Sequence, residues 1–499
     1  MEKIALVSLD EINLKLIIFD YDSGYYNIKE EIAENLKLGK DILEDSIIKP
    51  HKLAEALETI KMFRKLCDNY GVEKVSAVAT SVFKNAKNYR SFFEEIYNNT
   101  AINFNILTRE EEYKNIYTGV VNFVDVQKGL ILDIEPYAVH AIYYNRKNIL
   151  NANSLDFGAV SLADAYAEVE NLEEKWNLMV DHVNKNLEKL AVNREEDMHF
   201  IGTGSMYISL GKVAKKVTKY PLDLDNNYIV TSETAEGVIK LIKSLDPDKT
   251  KKIKGISEER ADVLLAGLAI IKCINDFFKI SQTTITVGGY KDGIINTSSN
   301  VEFYEKPLGD MLGYSLETIN KFYNNNSNSS QVYNIALILF RQLKVLHKLP
   351  RNYVKALRIG SALYDCGKRI RYDNNSKYAF DVIINSRING VSQKDLLLGA
   401  FACLCQNLDN FNLSDWVRYN GLVGEEDLDA VRKLGVIISL ASALDTSKSG
   451  NVTDICCDIL GDSIIVKTIV KADAKFDIDQ AMKYSNDFRK VFKRNIQII

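Results

Sequence analysis

The sequence predicts an α/β protein with a duplicated, sheet-containing core and a mainly helical C-terminal region. Two stretches, beginning near Ile4 and Lys128, each open with consecutive apolar strands separated by short polar turns. This order of strands and helices is typical of mixed sheets that are covered by helices. A polar, low-complexity stretch, KFYNNNSNSS at 321–330, has the composition of a linker. We therefore predict domains at residues 1–125, 126–305 and 321–499.

The first predicted domain opens with a β-hairpin. IALVSL (4–9) and LKLIIFDY (14–21) are its two apolar strands. The segment 51–71, HKLAEALETIKMFRKLCDNYG, carries apolar residues at helical spacing and ends in glycine, which is typical of a helix C-terminus. VEKVSAVATS (72–81) and AINFNIL (101–107) are two further predicted strands.

The second predicted domain repeats this layout, and the C-terminal region departs from it. KGLILDI (128–134), VHAIYYN (139–145) and ILNANSL (149–155) are predicted strands, and a helix-rich stretch follows to about residue 300. Beyond the linker, helical periodicity continues to about Leu444, and a strand pair lies near DICCDILGDSIIVKTIV (454–470). A cleft between two similar domains is the expected place for a binding site.

Composition excludes several function classes. Hydrophobic residues make up 46% and charged residues 26% of the 499 residues, which is ordinary for a globular protein. The net charge is only −4, and the basic and acidic residues are interleaved, so we expect no nucleic-acid partner. The seven cysteines show no C-x-x-C pair, and no apolar run is long enough for a membrane span. We therefore predict a cytoplasmic protein that does not contact membranes.

The stretch LILDIEPYAVH (130–140) raises the question of function. A buried strand that ends in Asp133-Ile134 is followed in many α/β phosphotransfer proteins by glycines, whose N–H groups bind phosphate. Here Glu135, Pro136 and Tyr137 follow instead. The position is that of a phosphate loop, but the residue types are not.

Eight segments in order resemble the exopolyphosphatase and guanosine pentaphosphate phosphohydrolase (Ppx/GppA) family. They are ENLKLGKDI (34–42), VSAVATSVFKNAKN (75–88), ILTREEEYKNIYTGV (106–120), SLDFGAVSL (154–162), IGTGSM (201–206), ERADVLLAGLAII (259–271), GGYKDGII (288–295) and ALYDCGKRIRY (362–372). The resemblance implies a duplicated actin-like (ribonuclease H-like) two-domain core, followed by a helical HD-type region. It also implies hydrolysis of terminal phosphoanhydride bonds with Mg²⁺ or another divalent cation, polyphosphate or a phosphorylated guanosine nucleotide as ligand, and a homodimer.

The resemblance places Glu112 at the position of the family's water-orienting glutamate. The family's SG-x-EEA motif corresponds here to Thr108-Arg109-Glu110-Glu111-Glu112-Tyr113. A structural interpretation is also open, because Thr108 and Glu111 have the spacing of a helix capping box.

Both family phosphate loops are changed. The first, Asp-Leu-Gly-Ser-Asn-Ser in the family, has Ser8 for the aspartate, Asp10 for the glycine and Glu11 for the first serine. In the second loop Glu135, Pro136 and Tyr137 replace three glycines. Proline removes a backbone donor, and each Cβ atom restricts the turn. We expect Asp10, Glu11 and Glu135 to repel phosphate, since a carboxylate about 6 Å away costs on the order of 3 kcal/mol at an effective dielectric near 20.

Other family positions are partly retained. The predicted phosphate-binding residues are Lys84, Gly202, Thr203, Gly204, Ser205 and Lys291. Ser161 replaces an arginine of the family. Asp133 and His140 are candidate metal ligands, although a single histidine in a strand is also typical of a structural residue. The sequence has no histidine after His347, so the HD-type region lacks its usual metal ligands.

Together these patterns predict a Ppx/GppA-type protein with weak or lost hydrolysis and a binding or regulatory role. The alternative is an active exopolyphosphatase or guanosine pentaphosphate phosphohydrolase that tolerates the changed loops.

Overall fold

A computed structural model describes residues 1–192, 198–245, 258–298, 307–324 and 328–499. Strands β1 to β14 are Glu2–Leu9, Asn13–Asp22, Tyr25–Asn35, Lys74–Ala79, Phe104–Ile106, Lys128–Ile134, Val139–Asn145, Asn148–Leu155, His199–Thr203, Tyr228–Thr231, Gln282–Ile285, Val452–Leu460, Ser463–Val470 and Asn495–Ile498. Helices α1 to α20 are Leu38–Asp45, Pro50–Tyr70, Tyr89–Thr100, Arg109–Val121, Ala159–Ala165, Leu172–Asn184, Gly204–Val217, Ser232–Ser244, Glu258–Phe278, Tyr290–Ser298, Met311–Ile319, Ser329–Gln342, Lys344–His347, Tyr353–Ala362, Asn375–Asn385, Gln393–Leu404, Leu413–Val417, Glu425–Ala443, Lys475–Met482 and Ser485–Phe492. Short 3₁₀ turns at Ser81–Asn85, Leu187–Leu190, Cys366–Arg369 and Leu408–Asn410 and a π-helical turn at Asn320–Asn324 connect some of them.

The chain divides into two compact units. One comprises Met1–Tyr220 and Asp225–Met311, and the other comprises Pro221–Leu224 and Leu312–Ile499. The larger unit contains two mixed sheets, which we call the first lobe and the second lobe.

The sheet of the first lobe has the strand order β3-β2-β1-β4-β5. Strands β1 and β2 form the predicted antiparallel hairpin, with Val7 opposite Leu16, and β4 joins β1 in parallel. Strand β3, which was not predicted, extends the hairpin into a meander. Its residues Tyr25–Asn35 lie at an edge and are mostly half-buried or exposed, so they lack a continuous apolar run.

The sheet of the second lobe repeats this arrangement. Its order is β10-β11-β9-β6-β7-β8, so that β8-β7-β6-β9-β11 corresponds to β3-β2-β1-β4-β5. In both sheets an antiparallel meander is followed by parallel strands. The prediction of two related sheets is therefore confirmed.

The two lobes exchange helices: the helix that follows the strands of one lobe packs on the sheet of the other. Helix α4 comes after the strands of the first lobe, but its Ile116 and Val120 pack in one cluster with Ile131 and Ile142 of the second sheet. Conversely, helix α10 follows the second sheet, and its Ile294 packs with residues of the first sheet. The two helices contact each other closely.

The smaller unit is mainly helical, with a terminal sheet. Helices α12, α14, α16 and α18 pack against one another, and α16 is buried over almost its whole length. The predicted strand pair is part of a three-stranded sheet, in which β14 is parallel to β13. The predicted linker is wrong in part: residues 321–324 lie in the π-helical turn and Ser329 begins α12, while 325–327 lie outside the described residues. Among the described residues, no helix combines the length and the apolar character needed to cross a membrane.

Candidate functional site

The first changed loop, between β1 and β2, is closed by its own carboxylate. Asp10 Oδ1 accepts hydrogen bonds from the backbone N–H groups of Ile12 at 2.9 Å and Asn13 at 2.7 Å. Lys15 Nζ lies 2.8 Å from Asp10 Oδ2. The N–H groups that a phosphate loop would offer to an anion are thus bound by an anion of the chain itself. The negative charge of Asp10 is compensated by Lys15, which the sequence analysis did not include.

Glu11, the next residue, is buried, with 6% of its surface exposed. The Thr80 hydroxyl donates to Glu11 Oε1 at 3.2 Å. Burial, followed by the charges of Glu135 and Asp10, raises the pKa of Glu11 well above its ordinary value. The expected charge on Glu11 is therefore disfavoured by its surroundings.

The second changed loop is the turn between β6 and β7. The Glu135 N–H donates to the Ala138 carbonyl at 2.9 Å, and proline has no N–H at the next position. The carbonyls of Glu135 and Pro136 accept from the first turn of α5, at 3.1 Å from Ala159 N and 2.9 Å from Val160 N. This turn directs carbonyl groups towards the N-terminus of α5. A glycine loop would instead present N–H donors to an anion.

Asp133 and His140 lie opposite each other on β6 and β7. His140 Nε2 lies 3.3 Å from Glu135 Oε2. Burial and the charge of Glu135 raise the pKa of Asp133 to about 7. Burial acts to lower the pKa of His140, but the hydrogen bond to Glu135 and the charges of Glu135 and Asp133 raise it overall. Asp133 Oδ1 and His140 Nδ1 have no hydrogen-bond partner among the described residues.

Asp133 and His140 are not joined by a third candidate metal ligand among the described residues. Within the described residues, no group of three histidine, cysteine, aspartate or glutamate side chains is arranged to hold a metal ion. The hydrogen-bond geometry instead engages His140 with Glu135. The metal role of Asp133 and His140 stays a prediction.

Glu112 lies at the start of α4 and is buried, with 4% of its surface exposed. Its Oε1 accepts from the Ser81 N–H at 2.6 Å, and its Oε2 accepts from the Ser81 hydroxyl at 3.0 Å. Arg109 lies 3.2 Å from the same Oε2 atom. Burial raises the pKa of Glu112, although the Ser81 N–H and Arg109 act in the opposite direction. Both oxygens of the predicted catalytic carboxylate are thus bound by the protein.

The predicted capping box at the start of α4 is confirmed. Thr108 Oγ1 accepts from Glu111 N at 3.2 Å, and Glu111 Oε2 accepts from Thr108 N at 2.7 Å. The capping function belongs to Glu111, which leaves Glu112 directed towards Ser81.

Three of the remaining predicted phosphate-binding residues contact other groups of the protein. Lys84 Nζ donates to the Leu107 carbonyl at 3.0 Å, and Lys291 pairs with Glu31 at 2.9 Å in an exposed position. Thr203 of the 202–205 turn donates to the Gly288 carbonyl at 2.8 Å.

Two other members of the predicted set have fixed positions in the strands and turns. Gly204 begins α7 with a φ of +82°, and any Cβ atom there would overlap Asp133 Oδ1. Ser8 lies in β1, opposite Lys15.

An acidic cluster does form where the two lobes meet. The charges of Glu135, Asp10 and Glu112 all act on Glu11. Tyr290, at the start of α10, lies beside the same groups. Burial, followed by the charges of Glu112 and Glu135, raises the pKa of Tyr290 well above its ordinary value. Sequence reasoning missed Tyr290. It also missed the pairing of Lys15, for which the only signal is that Lys15 lies opposite Ser8 in the predicted hairpin.

Comparison with known proteins identifies the family. A model of the Ppx/GppA phosphatase family matches residues 17–301, which is more than half of the chain. The chain therefore belongs to the Ppx/GppA phosphatase family, as its sequence motifs indicate.

Two relatives show how far the similarity extends. A guanosine-5'-triphosphate,3'-diphosphate pyrophosphatase of Aeromonas hydrophila is 21% identical over 442 residues, covering 87% of each chain. A bifunctional 3-dehydroquinate synthase/phosphatase of Fusobacterium nucleatum is 23% identical over 312 residues, or 58% of this chain. This chain spans only 46% of the length of the Fusobacterium protein.

Solved structures support the fold. The Ppx/GppA family member of Aquifex aeolicus has a TM-score of 0.52 at 21% identity and covers 59% of this chain and 96% of its own. An exopolyphosphatase from Cytophaga hutchinsonii has a TM-score of 0.54 at 21% identity and covers 59% of this chain and 97% of its own. The core is thus an actin-like two-domain structure, followed by a helical C-terminal part.

Proposed function

We propose that this protein keeps the fold of the Ppx/GppA phosphatases, has weak or lost phosphoanhydride hydrolysis, and acts by binding or regulation. Two of the similar proteins are named as a guanosine-5'-triphosphate,3'-diphosphate pyrophosphatase and an exopolyphosphatase. Phosphorylated guanosine nucleotides and polyphosphate are therefore the ligands that we propose to test.

The observation that carries this proposal is the self-occupied first loop. Asp10 holds the N–H groups of Ile12 and Asn13 and the ammonium group of Lys15. A carboxylate on the same chain competes with free phosphate at a high effective concentration. Phosphate would have to displace it and leave a partly buried carboxylate without these partners.

The second loop and Glu112 support the same proposal. Hydrolysis of a phosphoanhydride needs donors that stabilise the charge on the transferred group and a residue that orients the attacking water. The turn at Glu135 and Pro136 presents carbonyl groups to α5. Ser81 and Arg109 occupy the oxygens of Glu112 that would orient water.

One observation favours the alternative, an active phosphohydrolase. Glu112 remains at the family position, is buried, and has a raised pKa, which is a typical setting for a general base. Activity would then require Ser81 to release the carboxylate when substrate binds.

Phosphate release from long-chain polyphosphate and from guanosine pentaphosphate tests the two functions. The purified chain is assayed with Mg²⁺ or Mn²⁺ beside the Aeromonas hydrophila relative, and we expect release at background for this chain. The matched variant is Glu112→Gln, which should leave that background unchanged. Turnover near that of the relative, abolished by Glu112→Gln, would establish the alternative instead.

We also propose that residues 321–499 are an HD-like region that does not use metal. The helical character of this unit and the position of Asp365 after α14 support the proposal. His347, the last histidine of the sequence, is buried, and its Nδ1 accepts from Leu349 N at 2.8 Å, which indicates a structural role. The seven cysteines are unpaired, which supports a cytoplasmic location for the protein.

A further inference from the structure

Tyr137 extends from the second lobe to the first. Its ring packs against Gly39, the second residue of α1, so closely that a Cβ atom on Gly39 would lie 2.6 Å from Tyr137 Cε2 and 3.0 Å from Cδ2. The same Cβ atom would lie 2.8 Å from Glu11 Cβ. Only 8% of the Tyr137 surface is exposed. The side chain is therefore enclosed between the β6–β7 turn of one lobe and the β1–β2 loop and α1 of the other.

Both sides of this contact are held in place by backbone hydrogen bonds. On the first lobe, Gly39 N donates to the Glu11 carbonyl at 2.7 Å, and Lys37 N donates to the Ile12 carbonyl at 2.9 Å. On the second lobe, the turn that carries Tyr137 is bound to the first turn of α5 through Ala159 and Val160. Because neither side is a free loop, the ring links two ordered segments.

The contact depends on two residue types that fit each other. A glycine at position 39 leaves room for the ring, and alanine there would force the ring or α1 to move. By the resemblance to the family, Tyr137 stands at a position that is glycine in the second phosphate loop. The residue that removes a phosphate loop thus also fills the space between the lobes.

We propose that Tyr137 and Gly39 form an interlobe latch, which holds the two lobes closed over the changed loops. Release of the latch would expose the Asp10 and Glu135 loops to solvent and to a ligand. This proposal goes beyond the proposed function, because it holds whether or not the cleft hydrolyses phosphate.

The backbone amides on either side of the contact report on the latch. Hydrogen exchange of the full-length chain, followed by mass spectrometry, measures local opening at Lys37 and Gly39 in the first lobe and at Ala159 and Val160 in the second. In Tyr137→Ala we expect exchange at these amides to be about tenfold faster or more, while the central strands β1 and β6 keep their protection. Tyr137→Phe keeps the ring and should exchange like the parent.

Gly39→Ala tests the same contact from the opposite lobe. Alanine favours helix over glycine by about 1 kcal/mol, so helix propensity alone predicts slower exchange in α1. The latch predicts faster exchange at Ala159 and Val160, because the new Cβ atom displaces Tyr137. Combining Gly39→Ala with Tyr137→Ala should add little at Ala159 and Val160 beyond Tyr137→Ala alone, because the remaining contact of the new Cβ atom, with Glu11 Cβ, lies within the first lobe. Gly237→Ala is the matched control, since a Cβ atom on Gly237 of α8 has nothing within 4 Å.

Two results would overturn the latch. One is unchanged exchange at these amides in Tyr137→Ala and in Gly39→Ala. The other is acceleration that extends equally to β1 and β6, which would assign Tyr137 to general stability rather than to contact between the lobes.

Discussion

The carboxylate of Asp10 binds the N–H groups of its own loop, which is a different effect from electrostatic repulsion of phosphate. Its charge is balanced by Lys15 at 2.8 Å, and Glu135 is engaged with His140 at 3.3 Å. The buried surroundings of Glu11 favour its neutral form. Uncompensated negative charge is therefore smaller than the sequence suggests, and we propose that the main barrier to phosphate at this loop is the occupation of its donors.

Replacing Asp10 should restore anion binding. In Asp10→Ala the N–H groups of Ile12 and Asn13 and the Lys15 ammonium group become available to a ligand. Each hydrogen bond contributes about 1 kcal/mol, so affinity for pyrophosphate should rise by up to about a hundredfold. Calorimetric titration at low salt, where screening is weakest, measures this change against the parent.

A second variant separates the contribution of Lys15. In Asp10→Ala combined with Lys15→Gln, most of the gained affinity should be lost, because the backbone donors alone carry no net charge. If Asp10→Ala is folded and binds no pyrophosphate, the barrier lies elsewhere, in the Tyr137 contact or in the absence of a basic residue at Ser161.

Glu11 should make stability depend on pH. Its pKa is raised in the folded state by burial and by Glu135 and Asp10, so the folded chain holds a proton that the unfolded chain loses above about pH 4.3. The free energy of unfolding therefore falls as the pH rises from about 4.3 towards the folded-state pKa. Glu11→Gln should be more stable than the parent by at least about 1 kcal/mol at pH 8 and equal to it near pH 4.

Urea unfolding at the two pH values measures this difference. Gln retains an oxygen that accepts from the Thr80 hydroxyl, so the comparison isolates the proton. Equal stability of Glu11→Gln and parent at pH 8 would show that Glu11 ionises at little cost in the folded chain.

At the scale of elements, the exchange of α4 and α10 between the lobes requires close backbone contact. A Cβ atom on Gly119 of α4 would overlap the carbonyl of Gly289, and one on Gly293 of α10 would overlap the carbonyl of Asn115. The helices can cross at this distance because glycine lacks a side chain there. The crossing therefore combines close backbone contacts at Gly119 and Gly293 with side-chain contacts, such as the hydrogen bond from the Thr297 hydroxyl to Asn115 Oδ1 at 2.8 Å.

Gly119→Ala should be strongly destabilising. Overpacking at a buried backbone contact costs about 1–3 kcal/mol, which exceeds the gain in helix propensity of about 1 kcal/mol. Gly237→Ala in α8 has open space and should instead be neutral or more stable by up to about 1 kcal/mol. Thermal unfolding of both variants measures the contrast. Equal stability of the two would mean that α4 and α10 move apart without cost.

The elements differ in how much of them the sequence could reveal. The apolar runs of β1, β2 and β6 and the helical spacing of α2 follow from period and propensity, so those elements were predicted. Strand β3 has a mostly polar sequence, so no apolar pattern predicts it. Its pairing with β2 defines it as a strand. The exchange of α4 and α10 is a tertiary feature that local patterns do not encode.

The site was less predictable than the sheets. Motif position placed Glu112 and Glu135 near each other, as the charge of Glu135 on Glu112 shows. Side-chain direction is not encoded in motif spacing, so the hydrogen bond from Lys84 to the Leu107 carbonyl could not be predicted, and the phosphate-binding role of Lys84 stays a prediction. The Asp10–Lys15 pair depends on the geometry of a two-stranded turn.

At the scale of the whole molecule, both units lack residue types that the family resemblance leads us to expect. By that resemblance Asp10 and Glu135–Tyr137 stand where the family has glycines, and the helical unit has no histidine after His347. Within the described parts of the chain, no three suitable side chains meet at one point to hold a metal. Apolar packing of the lobes and of α16 supplies a buried core in each unit.

The full-length chain should therefore unfold at the same temperature with and without metal. A cation bound at 100 times its dissociation constant stabilises a protein by about 2.7 kcal/mol, which shifts Tm by several degrees. We expect Mg²⁺, Mn²⁺, Zn²⁺ and EDTA each to change Tm by less than about 1 °C, measured by calorimetry, with the Aeromonas hydrophila relative as the comparison. A larger shift that disappears in His140→Asn would place a metal at the Asp133–His140 pair. A shift that remains in His140→Asn and disappears in Asp365→Asn would place the metal in the helical unit, and the proposal of a metal-independent HD-like region would be withdrawn.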